Sequence, residues 1–271
     1  MQVVACIKQV PDTTQVKVDP ETGNLIRDGV PSIINPFDIH ALEESLRLKD
    51  KYGFRVAVLS MGPPNAEETL KKALALGADE AILLSDRAFG GADTLATSRV
   101  LAEAVRRLSD KEEVGIVICG KQTIDGDTAQ VGPGIATRLR YQQMTLVDNI
   151  ENVDFKNNRM TARRKLEGRH ERVQSDLPVL ISVVRSINRP RYPTVPMRLM
   201  AQDAEVSVWD NSIMGLDPET IGLNGSATQV RKIFSPERDQ GEIIGDGMNE
   251  PDKTAQLLVG KLVEKDLMFI G

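Results

Sequence analysis

Aromatic residues are scarce: six Phe, three Tyr and one Trp make up 4% of the 271 residues. That is too few for the stacking platforms on which proteins hold unpaired bases. Positive charge is not in excess either. Thirty-four Lys and Arg against 39 Asp and Glu leave a net charge of −5, with no long basic block. The counterion release that drives nucleic-acid binding has no surface to act on. No apolar run approaches the ~18 residues of a membrane span. The opening MQVVACIKQV has strand character and lacks the basic stretch, long apolar core and cleavage site of a secretory signal. A soluble, cytoplasmic chain is expected, without nucleic-acid or membrane partners.

Reactive side chains are equally few. The two cysteines, Cys6 and Cys119, fall at the ends of apolar runs and in no CxxC spacing, so they read as small core residues of a reduced protein. The two histidines, His40 and His170, fall in no HExxH or Cys/His ligand pattern, so no metal site is expected. There is no GxSxG elbow, no HExxH helix and no lysine behind a phosphate-binding glycine loop. Asp125 and Asp127 could be imagined as an acid and a base. However, Asp127-Thr-Ala-Gln130 resembles a capping box, with Asp127 as the cap of a helix running from about 127 to 139. No side chain is nominated as catalytic, and binding is what remains.

What the chain does have is alternation. Strand-like QVVACI (2–7), RVAVLSM (55–61), EAILLS (80–85) and VGIVICG (114–120) alternate with helix-like stretches at 38–49, 65–78, 93–108 and 127–139. That order implies an α/β fold, a doubly wound, mostly parallel sheet of adenine-nucleotide-binding type. Asn65 is the expected cap of the second helix and Gly77 its left-handed stop. After Tyr141 come short extended runs, the last being PVLISVV, expected as antiparallel edge strands. The proline-rich stretch 186–203 reads by itself as a stiffened connector. Residues 1–205 are taken as the nucleotide-binding domain. Residues 206–271, with a strand at TQVRKIF and a final helix near 251–267, are taken as an arm that packs on a partner.

Glycines crowd the ends of these strands. GKQTIDGDTAQVGPG (120–134) follows a buried run and leads into a helix, and SDRAFGGADTLATS (85–98) has the same build. Without Cβ atoms such loops bring backbone N–H groups close to a ligand, and a helix start favours phosphate. In a doubly wound sheet these loops collect beyond the carboxyl ends of the strands. A carboxylate capping the helix at Asp127 would push an anion off the axis, toward neighbouring amides.

Several separated blocks resemble the electron-transfer flavoprotein β subunit: KQVPDT (8–13), NPFD (35–38), ALEESLRLK (41–49), ALALGAD (73–79), GKQTIDGDTAQVGP (120–133) and NRPRYPTVP (188–196). The resemblance spans essentially the whole chain. It implies a heterodimer in which this chain binds an adenine nucleotide and, with its α subunit, cradles FAD. The implied nucleotide contacts are Cys6, the turn Asn35, Pro36, Phe37 and Asp38, then Met61. They continue through the loop Gly120, Lys121, Gln122, Thr123, Ile124, Asp125, Gly126, Asp127, Thr128, Ala129, Gln130 and Val131. The resemblance also turns the proline-rich stretch into a recognition loop for acyl-CoA dehydrogenases, with Arg191, Tyr192, Val195 and Pro196 as contacts. Val195 stands where the family usually has Leu. Burying such a side chain is worth ~1.5–3 kcal/mol, which suits a transient contact.

Within the family, AMP-filled members read DDDxNQTG where this chain reads DGDTAQVG. Together with SDRAFGGADTLATS and the long tail, this is more similar to the electron-bifurcating members. Such a chain would hold FAD where AMP would sit and take hydride from NADH. The electrons would divide between the second FAD, shared with the α subunit and serving an acyl-CoA dehydrogenase, and a ferredoxin or flavodoxin. Arg87, Phe89, Gly90, Gly91, Ala92, Asp93, Thr94 and Thr97 are the expected contacts to NADH or the second flavin. The alternative is a non-bifurcating carrier with AMP in the β site.

Overall fold

Strand β1 (Gln2–Cys6) shows how the sheet is built, because every one of its side chains is buried. Val3 and Ala5 enter one hydrophobic cluster while Val4 and Cys6 enter another, on the opposite face of the sheet. An uninterrupted apolar run is what a strand covered on both faces requires. The computed structural model describes residues 1–12, 17–18, 25–26, 31–229, 241–265 and 267.

After β1 come the short strands β2 (Gln9–Pro11), β3 (Lys17–Val18), β4 (Leu25–Ile26) and β5 (Ser32–Ile34), with β2 paired to β5 and β3 to β4, both antiparallel. The main alternation follows: α1 (Asp38–Tyr52), β6 (Arg55–Met61), α2 (Glu67–Leu76), β7 (Glu80–Leu84), α3 (Thr94–Lys111), β8 (Val114–Gly120) and α4 (Val131–Leu139). Then come β9 (Gln142–Asp154), β10 (Arg159–Leu166), β11 (Arg169–Asp176), β12 (Val179–Val183), α5 (Val195–Gln202), β13 (Ser207–Trp209), α6 (Asn211–Met214) and α7 (Pro251–Glu264).

Nine strands form one sheet in the order β11-β10-β9-β12-β8-β1-β6-β7-β13. All neighbours are parallel except β9 with β10 and β10 with β11. The mostly parallel, doubly wound α/β expectation is therefore met. Leu42 and Leu46 of α1 and Leu70 of α2 fill the cluster on one face; Val105 of α3 and Ile135 of α4 fill that on the other. From β1 the chain builds outward through β6 and β7, then α3 returns it across the sheet to β8 on the other side of β1. The carboxyl ends of β1 and β8 thus flank the topological switch point, where doubly wound sheets open a crevice.

Four details differ from the sequence reading. PVLISVV is not an edge strand: β12 lies inside the sheet between β8 and β9, parallel to both, because its five residues are all buried and only an interior position covers both faces. Asn65 does not cap α2. Pro63 and Pro64 set a 3-10 turn over Pro64–Ala66, and the helix begins at Glu67 without a side-chain cap, although Gly77 ends it at φ 117° as expected. Helix α4 begins at Val131 rather than near Asp127. The proline-rich stretch is a helix in its second half, with the Thr194 hydroxyl accepting from Met197 N–H. The strand expected at TQVRKIF lies outside the described residues from Val230 onward. Met1–Lys232 forms one compact unit and Ile233–Gly271 a second.

Leu42 is fully buried against the sheet on the helix that carries the 35–38 turn. Leu42→Ala is expected to lower unfolding free energy by about 2–5 kcal/mol, read by chemical denaturation.

Candidate functional site at the sheet switch point

The 35–38 turn is tied to both strands at the switch point. Asn35, fully buried, donates from its backbone N–H to Lys8 O (2.9 Å) and from Nδ2 to Gln122 O (2.8 Å), and its Oδ1 accepts from Ile124 N–H (3.1 Å). Asp38 accepts from the backbone N–H of Lys8 at Oδ2 (2.8 Å) and of Gly120 at Oδ1 (3.1 Å). One turn thus fixes the second residue after β1 and the last residue of β8 in a single arrangement. The cap position of α1 is Phe37, whose side chain has no acceptor, so the helix starts without a side-chain cap.

This closeness is why residue 120 is glycine. A Cβ there would collide with Asp38 Oδ1 and lie 2.6 Å from Phe37 Cβ. Gly132, in the first turn of α4, has the same constraint: a Cβ would sit 2.7 Å from Cys119 Sγ. Gly126 has no such demand, its nearest neighbour being Thr123 Oγ1 at 3.5 Å. Cys6 and Cys119 face each other across the β1–β8 pair, both buried.

Above this floor opens a cleft of about 860 Å³, at the upper end of the ~300–1,000 Å³ of small-molecule sites. Its walls are the loops after β1, β6, β7 and β8. Of the residues nominated from sequence, it brings together Cys6, Asp38, Met61, Gly120 through Thr123, Gly126 and Thr128 through Val131. Arg87, Phe89 through Thr94 and Thr97 line the same cleft. Asn35, Pro36, Phe37, Ile124, Asp125 and Asp127 do not line it, Asp125 and Asp127 being exposed. Arg191, Tyr192, Val195 and Pro196 are elsewhere on the surface, with Tyr192 and Val195 exposed and Arg191 paired to Glu43 (2.9 Å) and Asp50 (2.7 Å). Cys119, Leu101, Asp86 and Lys8 also line the cleft. Cys119 and Leu101 escaped the sequence reading because an apolar residue at the end of a strand or on the inner face of a helix looks like ordinary core.

Two helix starts meet the cleft, and they differ. At α3, Asp93 accepts from Leu95 N–H (2.9 Å) and Ala96 N–H (3.0 Å), so the first turn is satisfied internally. Asp93 also accepts from Thr228 N–H (3.0 Å) and Thr228 Oγ1 (3.1 Å), while its own N–H donates to Ser226 Oγ (2.8 Å). Burial alone would raise the Asp93 carboxyl, but these hydrogen bonds outweigh it and hold it below the usual range. At α4 the cap is Gln130, whose side chain does not reach the helix and instead accepts from Thr94 Oγ1 across the cleft (2.9 Å). Pro133 has no N–H and Gly134 N–H donates to Gln130 O (2.9 Å), so it is the amides of Val131 and Gly132 that are left for an anion.

Asp127 is not the cap expected of it. It adopts a left-handed φ of 49° and accepts from Gln122 Nε2 (2.6 Å). Its carboxylate is engaged with Gln122, and the cap position of α4 belongs to Gln130 instead. Ala129 is also left-handed, at φ 56°. Such backbone in a non-glycine residue costs ~1–3 kcal/mol and collects at functional sites. Lys8 Nζ pairs with Asp125 (2.6 Å); burial opposes, but the hydrogen bonds from Lys8 and Thr123 lower the Asp125 carboxyl.

At the floor, burial pushes the Asp38 carboxyl up to about 7, against hydrogen bonds from Asn35, Lys8 and Gly120 that pull the other way. Burial and the nearby Asp38 charge push the Cys6 thiol up to about 12, and burial raises Cys119 as well. These thiols are neutral and unsuited to nucleophilic chemistry. His40 Nδ1 meets Asn188 Oδ1 (2.9 Å) and His170 meets Asp148 (3.1 Å), and no metal-ligand cluster occurs among the described residues. No helix among them is long and apolar enough to cross a membrane.

Comparison with known proteins fits this geometry. Residues 22–214 match the electron transfer flavoprotein domain family. The chain is 48% identical over 266 residues to electron transfer flavoprotein subunit beta of Clostridium acetobutylicum, covering 98% of this chain and 99% of that one. It is 46% identical over 265 residues to protein FixA of Azotobacter vinelandii, with 97% and 94% covered. It is likewise 46% identical over 271 residues to the caffeyl-CoA reductase-Etf complex subunit CarD of Acetobacterium woodii, with 99% and 100% covered.

Gly120→Ala is expected to cost about 1–3 kcal/mol of stability by overpacking and to abolish nucleotide retention, read by denaturation and by nucleotide content. Asp38 should also give stability a pH dependence. Its folded value near 7 lies above the ordinary 3.8, so the folded state holds the proton more tightly. Its contribution is present at low pH and is lost as pH rises from about 4 to about 7. Asp38→Asn is expected to flatten that part of the curve, checked by denaturation at several pH values.

Proposed function

The chain belongs to the electron transfer flavoprotein β-subunit family, and from that premise we propose that it is the β subunit of a cytoplasmic, electron-bifurcating αβ complex. FAD in the β site would supply the redox chemistry, taking hydride from NADH and passing electrons both to a second FAD shared with the α subunit and to a ferredoxin or flavodoxin. The chain's own part is position and electrostatics. Lys8, Asn35 and Asp38 hold the floor; the open amides at the start of α4 suit the pyrophosphate; Gly120 and Gly132 allow the backbone to approach. These residues suit a nucleotide: the glycines let the floor close tightly beneath the cleft, and the amides of Val131 and Gly132 are unfilled donors.

The observation that carries the bifurcating reading is the continuity of the cleft. The 120–132 loop and the 87–97 loop line the same cavity of about 860 Å³. The absence of side chains at Gly126 and a short one at Ala129 widen it beside the α4 start. A ligand extending from α4 toward Arg87 and Thr97 is longer than a mononucleotide.

The partner surfaces follow from exposed apolar side chains. On and before α5, Tyr192, Val195, Leu199 and Met200 face outward, which supports contact with an acyl-CoA dehydrogenase or a related CoA-thioester oxidoreductase. The Acetobacterium woodii relative is named for a complex with caffeyl-CoA reductase. On α7, Leu257, Leu258, Val259 and Val263 are exposed and no residue is buried, which supports the arm packing on the α subunit.

Denaturing the purified αβ complex and counting nucleotides tests the reading. Two FAD per heterodimer and no AMP is the expected result, with bleaching by NADH. One FAD and one AMP would make the protein a non-bifurcating carrier and overturn the bifurcating assignment.

A further inference from the structure

We infer that Asp38 is a positioning residue whose carboxylate links nucleotide binding in this cleft to the uptake of a proton. This rests on the reading of the cleft as a nucleotide site, and it goes beyond it by assigning one buried group a role in when the site fills. The geometry is specific. The carboxylate lines the cleft floor, is buried, and accepts from the main-chain N–H groups of Lys8 (2.8 Å) and Gly120 (3.1 Å).

The groups around it offset its charge only in part. From β1 it faces the Cys6 thiol, and from β8 the Cys119 thiol, both raised and therefore uncharged at neutral pH. From its own turn it faces the neutral Asn35 side chain. The Lys8 ammonium, on the adjoining loop, favours the charged carboxylate through space but makes its contact with Asp125 (2.6 Å). The Arg185 guanidinium lies over the outer Phe37 ring, 4.8 Å from its centroid. A buried charge held by amides alone, without a contacting cation, is sensitive to any further loss of water or added negative charge.

A pyrophosphate ligand brings both. It displaces water from the cleft and places like charge in the same low-dielectric space, so the ionised form of Asp38 is disfavoured when the site fills. The proton is drawn from solvent and released again on dissociation. Protonation also weakens the grip of Asp38 on one of its two amides, which ties the strand ends at the floor to the state of the ligand.

The test uses the αβ complex stripped of nucleotide and titrated with FAD, whose pyrophosphate charge is constant near neutral pH. Flavin fluorescence gives affinity between about pH 6 and about pH 8, and calorimetry in buffers of different ionisation enthalpy gives the protons taken up. Affinity is expected to fall several-fold over that range, within the tenfold per pH unit that one proton allows. Proton uptake should accompany binding near pH 7, and in Asp38→Asn both effects should vanish. A flat affinity profile in the unmodified protein, a test that needs no variant, overturns the inference. So does a slope that persists unchanged in Asp38→Asn. Absence of FAD binding at every pH would defeat the nucleotide reading itself and the inference with it.

Discussion

A buried carboxylate held between two strand ends is the constraint on which the site depends. Asp38 has no contacting cation, and removing a charge from water costs several kcal/mol even after relaxation. Its two amide partners are Lys8, in the loop after β1, and Gly120, the last residue of β8, so the same hydrogen bonds that partly offset this cost also tie the β1 loop to the carboxyl end of β8. Everything near it is adapted to that placement. Residue 120 has no side chain, and Phe37 packs against it. The destabilising floor is tolerable because it sits between two large apolar clusters, one on each face of the sheet.

The walls repeat the division between self-satisfied and open backbone. Helix α3 arrives with its first turn closed by Asp93, and the same carboxylate gathers Thr228, so this wall is stiffened by the segment that follows the sheet. Helix α4 arrives with the amides of Val131 and Gly132 open, its cap side chain drawn across the cleft to Thr94. Of two similar glycine-rich loops, one is therefore closed on itself and the other keeps free donors. The left-handed Asp127 and Ala129 lie in the second.

The exposed apolar faces of α5 and α7 occur in different compact units and have different surroundings. That on α5 is held by Arg191 through Glu43 and Asp50 of α1, so its position is coupled to the helix that begins at Asp38. That on α7 belongs to a helix that buries nothing in its own unit. A rigid patch suits a partner that docks and leaves, and an amphipathic helix without a core suits one that stays.

The amino-acid sequence by itself determined the α/β alternation, the parallel sheet, and which loops would meet. Continuous apolar runs such as Val114–Gly120 and stops such as Gly77 are local, and the crossover rules of parallel sheets do the rest. It also determined the family, through separated blocks whose order cannot be mimicked by one glycine motif. Tertiary structure decided what depends on neighbours far along the chain. Asp127 has the spacing of a cap, yet Gln122 takes its carboxylate and the helix starts four residues later. PVLISVV looked like an edge until β9 covered its outer side. Asp38 has nothing in its own segment to mark it as buried and uncompensated. Its charge state is set by burial and, against it, by Asn35 and the amides of Lys8 and Gly120, because desolvation is a property of the surroundings and not of the residue.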